Sequence, residues 1–222
     1  MTSDPGRAAE PTRQPAPSTG SVPATVELRE EPPSALAEYA RVPIAFEVRE
    51  ILAVRAPAQG LDGLRLVAQP VAVPYVKDYD ADPTLHPTQW PARFGVSRWG
   101  ILTAWVAGAR AGGAVVAWDS PEVGMLEGRR DLAVLWDLRV APEVRGRGVG
   151  AALFRAAERW AAARGARWLK VETQNVNVPA CRFYARQGCT LGAVHRFAYP
   201  TLPDEAQLLW YKELPPITRD GS

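Results

Sequence analysis

The apolar positions in the middle of the chain switch between strand spacing and helix spacing. Residues 135–140 predict a β-strand, and the helical repeat that follows begins around Ala151. The apolar positions of that helix are Val149, Leu153, Ala156, Ala157 and Trp160. Residues 166–174 predict the next strand, with Leu169 and Val171 on one face. The pattern predicts a strand, a loop, a helix and a second strand at the centre of an α/β domain.

Upstream of this central unit the pattern is weaker. Residues 35–41 predict a short helical turn, and residues 43–54 mix strand and helix spacing. Residues 64–76 have an extended pattern that contains Pro70 and Pro74. Because proline cannot donate to a ladder of backbone hydrogen bonds, this strand must lie at an edge or be divided.

One hairpin is predicted on each side of the central unit. Trp99–Ala109 and Gly113–Trp118 form the clearer one, with the reversal at residues 110–113, where glycines permit a tight turn. Residues 189–199 and 207–212 predict a final antiparallel hairpin that covers one side of a substrate site.

A polar and aromatic loop precedes the first of these hairpins. It contains Tyr75 and Tyr79 together with Asp78, Asp80 and Asp82. Such a loop is able to contact a cationic substrate, but a solvated loop without partners fits the same pattern.

Length and composition indicate a single domain with a tail. Of the 222 residues, 47% are hydrophobic, which is enough to bury a sizeable core. Residues 1–34 are dense in Pro, Ala, Ser and Thr with hardly any large apolar residue, so we predict that they are disordered. We therefore expect the domain to span residues 35–216 and residues 217–222 to be disordered as well.

The charge and the cysteines of the chain argue against several classes of function. A net charge of +2 is too small to predict nucleic-acid binding. The tail carries acids and lacks an apolar core, unlike transit peptides and secretory signals, and no apolar run approaches the length of a membrane span. Cys181 and Cys189 have no metal-ligand spacing. We expect a cytoplasmic protein with no metal, no nucleic-acid partner and no membrane partner.

The loop between the central strand and helix carries the most specific chemistry. Every second residue there is a glycine, at Gly146, Gly148 and Gly150, and the first two glycines each follow an arginine, Arg145 and Arg147. Glycine has no Cβ, so its amide can approach an anion closely. At the start of a helix several N–H groups have no internal partner and the helix dipole is positive. The spacing therefore predicts a pyrophosphate site made mainly of main-chain amides, with the arginines adding positive charge.

The same loop also fits the G-x-G-x-x-G/A fingerprint of dinucleotide-binding folds. Gly146 to Ala151 match it, and Glu172 lies about twenty residues further on, where an acid would bind the ribose. In that fold, however, the first glycine follows its strand almost at once, whereas Pro142 and a polar stretch intervene here. The fold also needs several further parallel units, for which the 50 residues after Glu172 leave little room.

The loop resembles motif A of the GNAT family of N-acetyltransferases, written Arg/Gln-x-x-Gly-x-Gly/Ala. Its matching positions are Arg145, Gly148 and Gly150. An Asn, an Ala, a Phe-Tyr pair and a closing Gly follow with the spacing of the family, at Asn177, Ala180, Phe183, Tyr184 and Gly188. Residues 172–181 and 192–194 are similar to the streptothricin acetyltransferase branch. Cys189 departs from the pattern, since the family commonly has an apolar aromatic residue there.

This resemblance implies both a fold and a cofactor site. The fold is α/β, with a mixed, mostly antiparallel central sheet of about seven strands flanked by helices, in which two central parallel strands splay apart in a V. Acetyl-CoA is the implied co-substrate, with its pantetheine arm paired to the backbone of Leu138, Arg139 and Val140. Its pyrophosphate is held by the amides of Arg145, Gly146, Arg147, Gly148, Val149, Gly150 and Ala151. Asn177, which also suits the cap of the second helix, and Tyr184 complete the cofactor site.

The implied reaction is direct transfer of an acetyl group to a primary amine in a ternary complex. The amine must first lose a proton, so a carboxylate in the cleft is the expected base, with Asp137 as first candidate and Glu172 as second. Tyr184 is the family's usual acid toward the leaving thiolate.

The acceptor, the oligomeric state and one other class of function stay open. Streptothricin-like compounds, aminoglycoside-like compounds, polyamines, protein lysines and protein N-termini all fit as acceptors. The protein is expected to be a monomer or a homodimer. The alternative function is a catalytically silent regulatory module that binds acyl-CoA on the same fold.

Overall fold

The computed structural model describes residues 25–216, and the chain termini at residues 1–24 and 217–222 lie outside it. The elements, in chain order, are β1 (Val26–Glu31), α1 (Leu36–Tyr39), β2 (Phe46–Arg55), β3 (Arg65–Lys77), α2 (Trp90–Arg93), β4 (Gly100–Val106), β5 (Ala109–Ala117), β6 (Leu132–Val140), α3 (Val149–Ala163), β7 (Trp168–Gln174), α4 (Val178–Arg186), β8 (Thr190–His195) and β9 (Gln207–Glu213). Within this part of the chain, no helix is long and apolar enough to cross a membrane.

Seven strands form one mixed sheet in the order β1-β4-β5-β6-β7-β9-β8. All neighbouring pairs are antiparallel except β6 and β7 at its centre. The predicted α/β class and mostly antiparallel sheet are therefore confirmed. A single parallel pair among residues 25–216 also excludes the doubly wound parallel sheet that a dinucleotide-binding fold requires.

The central parallel strands separate halfway along their length. Leu132–Leu135 pair with Trp168–Val171, but β6 continues to Val140 and β7 to Gln174 without further pairing between the two strands. The register of β6 against β5 shifts at the same place, because Val116 pairs with Leu135 and Val115 pairs with Asp137. Trp136 is thus the extra residue of a β-bulge, which bends the strand. This bend and the end of pairing produce the predicted V-shaped splay.

The strands β2 and β3 form a separate two-stranded sheet. Pro70 and Pro74 are accommodated because β3 has only one partner strand, as the edge-strand prediction requires. The amide of Leu52 in β2 donates to the carbonyl of Asn175 (2.9 Å), and the Asn175 side chain donates to the Leu52 carbonyl (3.1 Å). This hairpin is therefore fixed beside the end of β7, at the mouth of the splay.

The helix α3 covers one face of the sheet with its apolar stripe. Leu153, Phe154, Ala157 and Ala161 are fully buried at helical spacing. Burial of one side chain of the size of Leu or Phe stabilises the fold by about 1.5–3 kcal/mol. Because this face is held against β4, β5 and β6, the glycine loop at the start of α3 has a fixed position beside the end of β6.

A methyl group at Gly113 is predicted to destabilise the fold. A Cβ built there would overlap the buried ring of Tyr39 and lie 2.9 Å from the carbonyl oxygen of Leu102. We expect Gly113→Ala to lower the free energy of unfolding by about 1–3 kcal/mol, since both neighbours are in the core. Gly124→Ala is the matched control, because its Cβ would meet nothing within 4 Å. Equal midpoints of urea unfolding for the two variants would contradict this prediction.

Two local predictions are wrong. The tail does not extend to residue 34, because Val26–Glu31 form edge strand β1, which pairs with β4 and packs Val26 and Leu28 against the core. The prediction averaged the composition over the whole tail and missed these alternating apolar residues. The first hairpin turns at Ala107 and Gly108, both with positive φ, and not at residues 110–113. Gly112 and Gly113 lie inside β5, where their neighbours leave no room for a Cβ.

Candidate active site

The glycine loop presents its main chain to open space. Gly146 and Gly148 have φ values of 77° and 85°, and a Cβ at either position would meet no atom within 4 Å. Gly148 is the N-cap of α3 and has no side chain to offer, so the first amides of the helix stay available to a ligand. Val149, Gly150 and Ala151 supply those amides. The local geometry fits an anion such as a pyrophosphate.

Gly150 lies where α3 packs against α4 and the end of β6. A Cβ at this position would lie 3.5 Å from the Phe183 ring and 3.6 Å from the Val140 side chain, which are ordinary contact distances. Packing alone therefore does not require glycine here, in agreement with the Gly/Ala that the motif allows at this position.

The two arginines of the loop behave differently. Arg147 is exposed, in keeping with the predicted positive charge around the loop. The Arg145 guanidinium donates to the carbonyl of Val140 (3.0 Å) and to the carbonyls of Pro43 and Ala45 (both 3.3 Å). Arg145 thus fastens the segment before β2 to the end of β6, in addition to placing a positive charge there.

The part of β6 that is not paired with β7 turns backbone groups toward the splay. The amide of Ala141 donates to the Ala111 carbonyl of β5 at 2.9 Å. Because successive residues of a strand point their N–H groups to opposite sides, the Leu138 and Val140 amides face away from β5. With β7 diverging from β6, these amides are free to pair with an extended ligand.

A cleft of about 550 Å³ occupies the splay. It brings together eight of the predicted site residues, namely Asp137, Leu138, Arg139, Val140, Arg145, Glu172, Asn177 and Tyr184. The loop from Gly146 to Ala151 lies next to the cleft and does not form its wall. The predicted catalytic groups therefore share one cavity, which lies next to the predicted pyrophosphate site.

Asp137 is engaged in a buried ion pair. Its two carboxylate oxygens accept from Arg139, at 3.0 Å from Nε and 2.6 Å from Nη2, and Oδ1 also accepts from the Tyr39 hydroxyl. The side chains of Arg139 and Asp137 are only 1% and 7% exposed. Burial lowers the pKa of Arg139, but the charge of Asp137 and its hydrogen bonds outweigh this and hold that pKa above its usual value. Asp137 is therefore bound to a permanent cation.

Among the side chains of residues 25–216, the hydrogen-bond partners of Glu172 are all neutral. Its Oε1 accepts from the Tyr199 hydroxyl at 2.6 Å, and its Oε2 accepts from Gln207 Nε2 at 2.8 Å. Burial, followed by the negative charge of Glu172, raises the pKa of Tyr199, so this hydroxyl keeps its proton. Gln174 Nε2 donates to Tyr199 in turn, at 3.0 Å. These bonds orient the Glu172 carboxylate without neutralising it.

The helix α4 positions Tyr184, as its sequence predicts. Asn177 caps the helix by accepting from the Ala180 amide at 3.1 Å, and Gly188 follows it with a φ of 82°. The Tyr184 ring packs against Phe154 and Phe183, with centroids 5.8 Å and 5.1 Å away. Burial raises the pKa of Tyr184, so its hydroxyl carries its proton at neutral pH.

Several side-chain contacts of the two candidate bases were not identified from the sequence. Tyr39 and Arg139 bind Asp137, and Tyr199 binds Glu172, whereas the sequence predicted Arg139 only through its backbone at the cofactor site. No local pattern marks them, because these contacts depend on the tertiary fold. Tyr79 and Asp80 did carry a signal, since their loop was noted as able to contact a cationic substrate, and both line the cleft.

Comparison with known proteins agrees with this geometry. The model of the acetyltransferase (GNAT) family matches residues 73–189. The chain is 30% identical to a streptothricin acetyltransferase of Escherichia coli, over 81% of this chain and 91% of that protein. The crystal structure of a nourseothricin acetyltransferase is 28% identical, with a TM-score of 0.67 over 86% of this chain and 99% of that one.

A further solved structure shares the fold and contains the expected co-substrate. It comes from Bacillus anthracis str. Ames in complex with acetyl coenzyme A, with a TM-score of 0.67 and 23% identity over 86% of this chain and 99% of that one. The family match covers more than half of the chain and includes the glycine loop, the splayed strands and α4. The chain therefore belongs to the acetyltransferase (GNAT) family and is an acetyl-CoA-dependent N-acetyltransferase that resembles the streptothricin acetyltransferases.

Proposed function

We propose that the protein transfers the acetyl group directly from acetyl-CoA to a primary amine of a streptothricin-like compound. The observation that carries this proposal is the single cleft in which Glu172, Tyr184 and the free backbone of β6 meet. The similarity to the Escherichia coli streptothricin acetyltransferase over most of both chains supports the choice of acceptor.

The main chain holds the co-substrate in this proposal. The amides of the loop from Arg145 to Ala151 bind the pyrophosphate, and Leu138 to Val140 pair with the pantetheine arm along the open edge of β6. This pairing directs the thioester toward the centre of the sheet. The Leu138 amide then donates to the thioester oxygen, where negative charge develops as the amine attacks.

Glu172 accepts the proton of the amine. An alkylamine has a pKa near 10.4, so it is mostly protonated at neutral pH and needs a base to react. Asp137 was the first candidate because it lies on β6 close to the thioester, but its carboxylate is bound on both oxygens by Arg139. Among the side chains of residues 25–216, only the neutral groups of Tyr199 and Gln207 donate to Glu172, and no cation is paired with it. We therefore assign it the role of base.

A methyl group on the glycine loop is expected to weaken coenzyme A binding. Gly148 has a φ of 85° with open space around it, so Gly148→Ala strains the loop and puts a methyl group where the pyrophosphate binds. We expect the Kd for coenzyme A to rise about tenfold or more, measured by calorimetry.

The matched control for this variant is Gly165→Ala. Gly165 lies after the other end of α3, with a φ of 86° and the same open surroundings. It has the same backbone strain and no role at the cleft, so its Kd should equal that of the wild type. Equal Kd values for all three proteins would remove the loop from the binding site.

The decisive test of the proposed function is a panel of amines. Purified protein with acetyl-CoA is mixed with streptothricin, aminoglycosides, polyamines and lysine peptides, and release of the free thiol is measured. We expect the highest kcat/KM with streptothricin and a product acetylated on nitrogen by mass spectrometry. If none of these amines causes thiol release, the proposed function is overturned.

A further inference from the structure

The part of the cleft around Arg139 contains more buried negative charge than buried positive charge. Arg139 pairs there with two carboxylates, those of Asp137 and Asp80. Its Nη1 lies 2.9 Å from Asp80 Oδ2, and its Nη2 lies 3.3 Å from Asp80 Oδ1. One guanidinium carries one positive charge, so this Arg139 cluster has a net charge of −1.

Arg139 has no donor left for a further partner. A guanidinium has five N–H groups, and Arg139 uses them in two bonds to Asp137, two to Asp80 and one to the carbonyl of Val42 at 3.1 Å. The carboxylates, in contrast, have lone pairs to spare. Asp80 is the member of the cluster that faces the cleft, because its side chain is 19% exposed and that of Arg139 is 1% exposed.

The other arginines of the cleft wall do not compensate this charge. Arg93 and Arg145 are exposed, and their hydrogen bonds in the cleft region go to backbone carbonyls. Solvent screens exposed charges far more than buried ones. A buried net charge beside a cavity is costly unless a ligand neutralises it, which points to a cation at Asp80.

The surrounding side chains are also suited to a cation. Phe46 and Tyr79 lie on one side, with ring centroids 5.6 Å apart, and Trp90 and Trp136 lie edge to face, 6.4 Å apart. All four line the cleft. Aromatic faces attract ammonium and guanidinium groups. Glu172 belongs to a separate hydrogen-bonded group with Tyr199 and Gln207, so the cleft has two independent sites of negative charge.

We propose that Asp80 is a specificity-determining residue that pairs with a second cationic group of the acceptor, while Glu172 receives the amine that is acetylated. This inference rests on the proposed function as an amine acetyltransferase. It predicts that acceptors with two cationic groups are preferred over acceptors with one, and that the preference depends on the Asp80 carboxylate.

Matched pairs of amines test this preference. Cadaverine is compared with pentylamine, and putrescine with butylamine, with a correction for the two equivalent amines of each diamine. We expect the wild type to have a kcat/KM about tenfold higher for each diamine than for its monoamine partner. Asp80→Asn should reduce this ratio to near one, mainly by raising the KM for the diamine.

Two further variants separate recognition from folding. Asp80→Glu keeps the charge and should retain part of the preference for diamines, while thermal unfolding shows whether each variant is folded. Asp62→Asn removes an exposed carboxylate at the tip of the β2–β3 hairpin and should leave the ratio at its wild-type value.

The possible results are distinguishable. Equal kcat/KM values for diamine and monoamine in the wild type, or an unchanged ratio in folded Asp80→Asn, would overturn the role of Asp80 while amine acetylation stands. If none of the amines, streptothricin included, causes thiol release, the proposed function is overturned and this inference with it.

Discussion

Replacement of Glu172 by glutamine is expected to lower kcat/KM for the amine acceptor by a factor of about 10² to 10⁴, the usual contribution of a general base. Glutamine keeps the size of the side chain, and its carbonyl oxygen can still accept from Tyr199, while its amide nitrogen takes the place of the oxygen that faces Gln207. It cannot take a proton from an ammonium group. The loss should therefore fall on the chemical step, with a nearly unchanged Kd for coenzyme A.

Asp137→Asn decides between the two candidate bases. In that variant Arg139 keeps Asp80 as a partner, so the main expected effect is lower stability from the loss of a buried ionic bond. Glu213→Gln, at an exposed end of β9, is the control for removing a glutamate charge. Steady-state kinetics and thermal unfolding of all three variants are compared. If Asp137→Asn abolishes turnover in a folded protein while Glu172→Gln retains it, Asp137 is the base.

The framework of the site could be predicted because its signals are local. The glycine loop, the start of α3 and the cap of α4 each depend on residues a few positions apart, such as Asn177 and Ala180. Main-chain amides at a helix start have the same direction in any protein with that local conformation. The error that arises for such features is one of boundaries, as with the first hairpin turn, which the structure places at Ala107 and Gly108.

The partners of the charged groups could not be predicted in this way. Asp80 and Arg139 are 59 residues apart in sequence, and Tyr39 and Asp137 are 98 apart. These contacts depend on how α1, before the β2–β3 hairpin, and the segment after that hairpin pack against the end of β6. A sequence pattern identifies a carboxylate, but the neighbouring cation that decides whether this carboxylate acts as a base comes from tertiary structure. For this reason the sequence placed Asp137 before Glu172.

The V-shaped splay links the local features of the site to its tertiary arrangement. The bulge at Trp136 separates the part of β6 that pairs with β7 from the part that has backbone groups free. It also places Asp137 and Leu138 directly after the bend, on the wall of the cleft. A single register shift therefore opens the space for a ligand and sets which residues face it.

Replacement of Tyr184 by phenylalanine is expected to lower kcat about tenfold to a hundredfold, with little change in the Kd for coenzyme A. The effect is placed at the low end for an acid because a thiol has a pKa near 8.5 and is already a good leaving group. Phenylalanine keeps the ring contacts with Phe154 and Phe183, so the fold should be retained. Burial raises the pKa of Tyr184, and we therefore expect no alkaline loss of kcat from this hydroxyl below about pH 10.

Tyr75→Phe is the matched control, since Tyr75 lies on the exposed strand β3 and the residue is 42% exposed. It removes a tyrosine hydroxyl outside the cleft and should leave kcat at the wild-type value. Single-turnover measurements with acetyl-CoA bound in advance separate the chemical step from product release. A chemical step of unchanged rate in Tyr184→Phe would show that the thiolate leaves without this proton, and Tyr184 would then be a packing residue of α4 with no part in the transfer.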